Sequence, residues 1–257
     1  MPTALITGAT SGIGAEFAGQ LAASGFDLVL VARDAERLDS TAAAIRQRCG
    51  VVIDVLAADL TTPEGLALVE GRLRADGAGG GPAVAIDYLV NNAGFGLRKS
   101  FEENAVDDEQ RHLDLLVTAP MRLMHAALEQ MLPRRTGTIV NVASVAGFTP
   151  RGSYGAAKAW VLSFTRWAHI YYGPLGVQVA AVAPGFVRTD FHRRMAVRTD
   201  TVPDFMWLDA ADVVRIALRD VARGRGLSVP TLRYKVVVGL SKILPARVLA
   251  AGSLHPR

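Results

Sequence analysis

The sequence predicts an α/β fold, a doubly wound parallel sheet flanked by helices, with residues 1–257 forming one domain. Two observations carry this reading. Short runs rich in Val, Ile and Leu alternate with longer segments of helical period, and those runs are continuously apolar, as strands covered on both faces are. A glycine-rich turn, Gly8 to Gly14, directly follows the first run and opens the first helical segment. The 257 residues, 50% of them apolar, suffice for a large core without disulfides or metal, and they exclude a disordered or collagen-like chain.

The strand candidates are 3–7, 27–32, 51–57, 86–91, 137–143 and 177–183. The helical stretches are 12–24, 35–48, 63–74, 106–131 and 152–172, and the third begins well, with Thr61-Thr62 as cap and Pro63 in the first turn. Residues 77–82 read as a surface loop. No repeat or linker argues for a second domain.

Several function classes fall away on composition. Cys49 is the only cysteine, so a reducing, cytoplasmic setting is expected. His112, His125, His169, His192 and His255 show no metal-ligand spacing, and no metal is expected. No secretory signal or spanning segment is recognisable. The excess positive charge lies from Arg188 onward, where 13 Lys and Arg face 6 Asp and Glu. It is spread out rather than packed into one run, and reads as a solvated basic surface, with an anionic docking partner as the alternative and nucleic acid disfavoured.

Sheets of this kind bind ligands beyond the carboxyl ends of their strands. After strand 1, Gly8 permits a sharp turn, Gly12 a close backbone approach to a pyrophosphate, and Gly14 tight helix–strand packing, with the phosphates facing a helix N-terminus. After strand 2 comes Arg33, suited to a 2′-phosphate; Asp34 reads as the N-cap of the next helix, so NADP(H) is favoured over NAD(H). After strand 3, Asp59-Leu60 offers a carboxylate that either meets an adenine or caps a helix. After strand 4, Asn91-Asn92-Ala93-Gly94 leaves a floor that a flat ring can approach. Strand 5 ends at Ser144, and ten residues on stand Tyr154 and Lys158, four apart and so on one helix face. An ammonium beside a phenol lowers its pKa, and such a pair can exchange a proton with a carbonyl oxygen while Ser144 holds that oxygen.

Together these motifs, with Pro184-Gly185-x3-Thr189 after strand 6, resemble the short-chain dehydrogenase/reductase family from Thr3 to about Thr189. The resemblance implies a Rossmann-like fold and a homodimer or homotetramer paired through 106–131 and 152–172. It implies Tyr154 as general acid/base, Lys158 as the group that lowers its pKa and bonds the nicotinamide ribose, and Ser144 as the orienting hydroxyl. Cofactor contacts would come from Gly8, Thr10, Ser11, Gly12, Ile13, Gly14, Arg33, Asp59, Leu60, Asn91, Ala93, Gly94, Tyr154, Lys158, Pro184, Gly185, Val187 and Thr189. Two departures stand out. Leu116 occupies the place where many members carry an Asn that opens the helix and holds a relay water, and the interval from Ser144 to Tyr154 is about three residues short.

Substrate contacts are expected from a lid at 186–208, whose Phe191, His192, Met195, Phe205, Met206 and Trp207 suggest an apolar substrate such as a 3-oxoacyl thioester, steroid or other lipid carbonyl. The amphipathic, basic segment 227–257 is expected to pack on the body or a subunit neighbour rather than on a membrane. The expected activity is NADP(H)-dependent ketone–alcohol interconversion. A cofactor-binding sensor with little turnover is the alternative that Leu116 keeps open.

Overall fold

The computed structural model describes all residues except 76–83, 98, 190–201, 242 and 252–257. Seven parallel strands form one sheet: β1 Thr3–Thr7, β2 Asp27–Ala32, β3 Ile53–Ala57, β4 Tyr88–Asn91, β5 Gly137–Val142, β6 Val177–Val182 and β7 Leu227–Ser228, in the order β3-β2-β1-β4-β5-β6-β7. The strand order reverses between β1 and β4, and a crevice opens there beyond the strand ends.

Successive strand residues point to opposite faces. Ala4, Ile6, Leu28, Leu30, Val140 and Val182 join one core with α1 (Gly12–Ala23), α2 (Ala35–Cys49) and α7 (Ala210–Ala222). Leu5, Val29, Val31, Ile139 and Val179 join the other with α3 (Pro63–Arg74), α5 (Ala119–Arg134) and α6 (Gly152–Tyr172). Both faces are covered, which is why the central strands must be apolar at every position. The edge strand β3 departs from this rule: Asp54, Val55 and Ala57 are exposed, because no further strand covers that side.

Local signals set the element ends. Asp34 accepts from Arg37 N at 3.0 Å and caps α2, and Thr62 accepts from Gly65 N at 3.1 Å and caps α3. Asp59 is therefore not the α3 cap; its carboxylate closes a turn on the amide and hydroxyl of Thr61, at 3.0 and 2.8 Å.

Three differences from the sequence reading have physical causes. The helix expected over 106–131 is α4 (Val106–Leu113), a π-helical turn (Asp114–Thr118) and α5, which runs on to Arg134 with Pro133 inside its last turn. The helix thus opens where Leu116 stands, without an amide there. Strand β7 is two residues long and too short to show a period. Beyond residue 172 the sequence reading spreads the basic charge over helices without bounding any, and the structure gives α7, α8 (Leu232–Ser241) and α9 (Ala246–Ala251). The surface loop expected at 77–82 lies outside the described residues.

Candidate active site

At the carboxyl end of the sheet lies a cleft of about 1590 Å³, larger than the roughly 300–1000 Å³ typical of drug-sized ligands. Gly8 and Gly12 hold positive φ (67° and 56°) in the turn leading to α1. A Cβ on Gly14 would strike the carbonyl of Gly8 and the amide of Asn92. Asn92 Nδ2 donates to the carbonyls of Thr7 (2.9 Å) and Gly8 (3.2 Å), while Thr7 Oγ1 accepts from Asn92 N and Ala93 N. This clip ties the glycine turn to the end of β4. Asn92, which the sequence reading places at the strand end but not among the cofactor contacts, thereby shapes the cradle. Ser11, the N-cap of α1, makes no side-chain cap bond, and the first turn of α1 carries no acidic residue. Ser11, Gly12 and Ile13 line the cleft, so the positive end of α1 is presented to it. The cradle fits a pyrophosphate.

Of the site residues expected from the sequence, all but Gly14 and Asn91 line this cleft. Gly14 packs behind the turn. Asn91 is buried, donates to Asn141 Oδ1 at 2.9 Å, and borders a separate small void of about 10 Å³ beside Lys158 and Leu116. At the opposite end of the cleft Arg33, Arg37 and Asp59 lie together. Arg33 is 3.8 Å from Asp59. Partial burial pushes the Asp59 carboxyl up, but hydrogen bonds from Thr61 and the Arg33 cation hold it below the usual range.

Ser144 caps a short 3₁₀ turn (Val145–Phe148), accepting from Ala146 N at 3.1 Å. Tyr154 and Lys158 stand on adjacent turns of α6. Lys158 is buried, and its Nζ donates to the carbonyl of Val142 at 2.7 Å and lies 5.9 Å from the Tyr154 ring centre. Burial pushes the Lys158 pKa down to about 8. Burial also pushes Tyr154 up to about 12, against a hydrogen bond with Ser144 that favours the phenolate. The expectation that Lys158 sets a low Tyr154 pKa is thus corrected for the protein by itself: burial holds the phenol above its ordinary range, and the group that opposes burial is Ser144 rather than Lys158.

Of the expected lid, Phe191, His192 and Met195 lie outside the described residues. Met206 lines the cleft; Phe205 points to solvent, 64% exposed, and Trp207 packs on Phe186 at 5.6 Å and under the Arg188 guanidinium. Two further walls were not anticipated. One is made by residues 95–97 and 99–102 with Asn104, leading into Glu109 and His112 of α4. The other is α8, through Tyr234 and Val237. A Cβ on Gly185 would fall on the Tyr234 ring, and Tyr234 Oη accepts from Phe186 N (3.0 Å) and donates to Met206 O (2.8 Å). Glycine at 185 facing an aromatic in the C-terminal segment was the only signal available in the sequence.

A glycine cradle at an uncapped helix end, and a serine, tyrosine and lysine gathered at its other side, match a known family. The short chain dehydrogenase model matches residues 2–199. The chain belongs to the short-chain dehydrogenase family. It is 34% identical over 191 residues to the 3-oxoacyl-(acyl-carrier-protein) reductase FabG of Aquifex aeolicus, covering 72% of this chain and 74% of that protein. Among solved structures it is similar to a short-chain dehydrogenase from Sphingobium yanoikuyae in complex with NADPH, at 37% identity, TM-score 0.84 and 94% coverage of both chains. It is also similar to the bulky-bulky ketone specific alcohol dehydrogenase of Comamonas testosteroni, at 37% identity, TM-score 0.79 and 95% coverage of both. This short-chain dehydrogenase is therefore an oxidoreductase with a Rossmann-type sheet, and its cofactor is a nicotinamide dinucleotide. Among the described residues no helix is long and apolar enough to cross a membrane.

Proposed function

We propose that this short-chain dehydrogenase interconverts a bulky apolar ketone and its secondary alcohol with NADP(H), Tyr154 serving as general acid/base. The observation that carries the reading is the convergence of Ser144, Tyr154 and buried Lys158 on one wall of a cleft whose other end is the uncapped start of α1.

The glycine turn and α1 would hold the pyrophosphate, Arg33 and Arg37 the 2′-phosphate, and the Pro184-Gly185 turn with Val187 and Thr189 the carboxamide side. Asp34 gives one carboxylate oxygen to capping α2, and two cations, Arg33 and Arg37, stand beside it at this end of the cleft, which favours NADP(H). The bound nicotinamide supplies the hydride exchanged with the carbonyl carbon. Ser144 holds the carbonyl oxygen. Tyr154, protonated at neutral pH, gives its hydroxyl proton to that oxygen as negative charge develops on it. The Lys158 ammonium, held in place by Val142, then stabilises the phenolate left behind.

Phe95, Leu97, Phe186, Met206 and Val237 make an adaptable apolar wall for the substrate. Within a single domain, Phe186 and Met206 at the described ends of the expected lid are braced by Tyr234 of the C-terminal segment. The likeness to a bulky-ketone alcohol dehydrogenase and to a 3-oxoacyl reductase supports this substrate class. Two copies pair through α5 and α6, where Trp160, Phe164, Trp167 and Tyr171 stack in a ladder and Trp167, Ile170 and Tyr171 are exposed.

The test is a panel of bulky aryl and alkyl ketones, 3-oxoacyl thioesters and small ketones, each with NADPH and NADH. The expected result is turnover of the bulky apolar members with at least about tenfold preference for NADPH. Turnover confined to small polar carbonyls, or preferring NADH, overturns the substrate and cofactor assignment.

A further inference from the structure

Among the described residues, the buried side-chain polar atoms without a hydrogen-bond partner are Tyr88 Oη, Asn91 Oδ1, Thr231 Oγ1, Glu109 Oε2 and both ring nitrogens of His112. Half of these orphans fall on one turn of α4. Unsatisfied buried groups cost stability, so such a cluster calls for a functional account. His112 has no exposed surface, and its ring lies between Phe95 (centres 5.4 Å apart) and Tyr154 (6.0 Å, planes within 25°). The titratable groups facing it are Glu109 on its own helix and Tyr154 and Lys158 on α6; the loop contributes the Phe95 ring and the Phe95 backbone. Burial, reinforced by the Lys158 cation, holds the imidazole pKa down and the ring neutral, against the pull of the Glu109 carboxylate and the nearby Phe95 backbone. Glu109 keeps one oxygen on Asn104 Nδ2 at 2.8 Å, and both of these residues line the cleft. One turn further on, Leu116 is buried and carries no polar atom.

We propose that His112 relays protons between Tyr154 and solvent, with Glu109 as the outer station, so that α4 serves the acid/base from position 112 rather than 116. This rests on the reading of Tyr154 as the acid/base. After Tyr154 has given its proton to the substrate oxygen, the phenolate takes one back through a bridging water from the N–H of the neutral imidazole. The other ring nitrogen simultaneously takes a proton from a water held at Glu109 Oε2, and the hydroxide equivalent is discharged to solvent at the Asn104 end. The imidazole stays neutral throughout and changes only its tautomer.

The experiment compares wild type, His112→Phe, His112→Ala, Glu109→Gln and Tyr154→Phe with NADPH and a bulky ketone that wild type turns over. It measures kcat in H₂O and D₂O, its pH profile, and NADPH affinity. His112→Phe keeps a ring plate against Tyr154 and Phe95. It is expected to hold NADPH affinity within about twofold, to lower kcat about 10- to 100-fold and to raise the solvent isotope effect, and added imidazole should restore part of the His112→Ala rate. The relay needs a neutral ring, so activity falls as pH drops through the His112 pKa. Glu109→Gln removes the anion that raises this pKa and moves that limb to lower pH. A His112→Phe enzyme with wild-type kcat and isotope effect overturns the relay and leaves His112 a packing plate. Should His112→Phe not fold, an acid limb unmoved by Glu109→Gln overturns it equally. Undiminished activity in Tyr154→Phe would instead show that the acid/base assignment had failed, and the relay with it.

Discussion

Lys158 Nζ donates to the carbonyl of Val142, 2.7 Å away, from a position where its side chain is almost fully buried. The bond anchors the ammonium at the end of β5, beneath the Tyr154 ring, and couples helix α6 to the sheet at the point of chemistry. Burying a cation is costly, and the cost shows in its pKa, pushed down to about 8.

Replacing Lys158 by Met separates stability from function. The apolar side chain removes the desolvation cost but also loses the bond to Val142, and the fold is expected to gain on the order of 1–2 kcal/mol at pH 7. Turnover falls at least about 100-fold. Thermal unfolding and kcat on the same samples check both; a destabilised variant contradicts the account.

The pH dependence of ketone reduction follows from the same group. Its folded pKa lies below the ordinary 10.5, so the charge that supports the phenolate is present below pH 8 and is lost above it. Tyr154, pushed up to about 12, stays protonated throughout that range. Reduction should therefore be level through neutrality and decline above about pH 8. Lys158→Arg, where active, should carry the level region to higher pH, since guanidinium does not titrate there.

Cofactor choice is expected to rest on Arg33 and Arg37. The double substitution Arg33→Ala, Arg37→Ala should raise the NADPH KM about 100-fold or more and leave the NADH KM within about threefold, because each of the two lost charge-assisted contacts is worth roughly 1.5–3 kcal/mol. Steady-state kinetics with both cofactors reads this directly. An equal effect on the two would place the 2′-phosphate elsewhere.

Gly185 and Tyr234 couple the C-terminal helix to the site. Gly185→Ala drives a methyl into the Tyr234 ring and should destabilise by about 1–3 kcal/mol while raising KM for the bulky ketone more than for NADPH. Melting curves and paired KM values test this.

Most of the architecture was legible in the residues, for identifiable reasons. Central strands such as β1 and β5 must be apolar on both faces, and Asp34 and Thr62 cap as their positions demand. What was not legible depends on contacts distant in sequence. The π-helical turn at Asp114–Thr118 has no period of its own. Asn92 reads as one of two equivalent amides until its bonds to Thr7 and Gly8 are seen. His112 looks like any helical histidine until α6 brings Tyr154 against it, and Tyr234 takes its meaning from Gly185, 49 positions away in the sequence. Where sequence reasoning named the Lys158 ammonium as the group acting on Tyr154, burial of the site and the Ser144 hydrogen bond set its pKa instead.

The account stands most directly on the phenol of Tyr154. The decisive measurement is NADPH oxidation by a bulky apolar ketone with wild type and Tyr154→Phe, alongside NADPH affinity for both. The account predicts a loss of at least about 1000-fold in kcat with NADPH affinity within a few-fold of wild type. A Tyr154→Phe enzyme that turns over ketone at near the wild-type rate would contradict it.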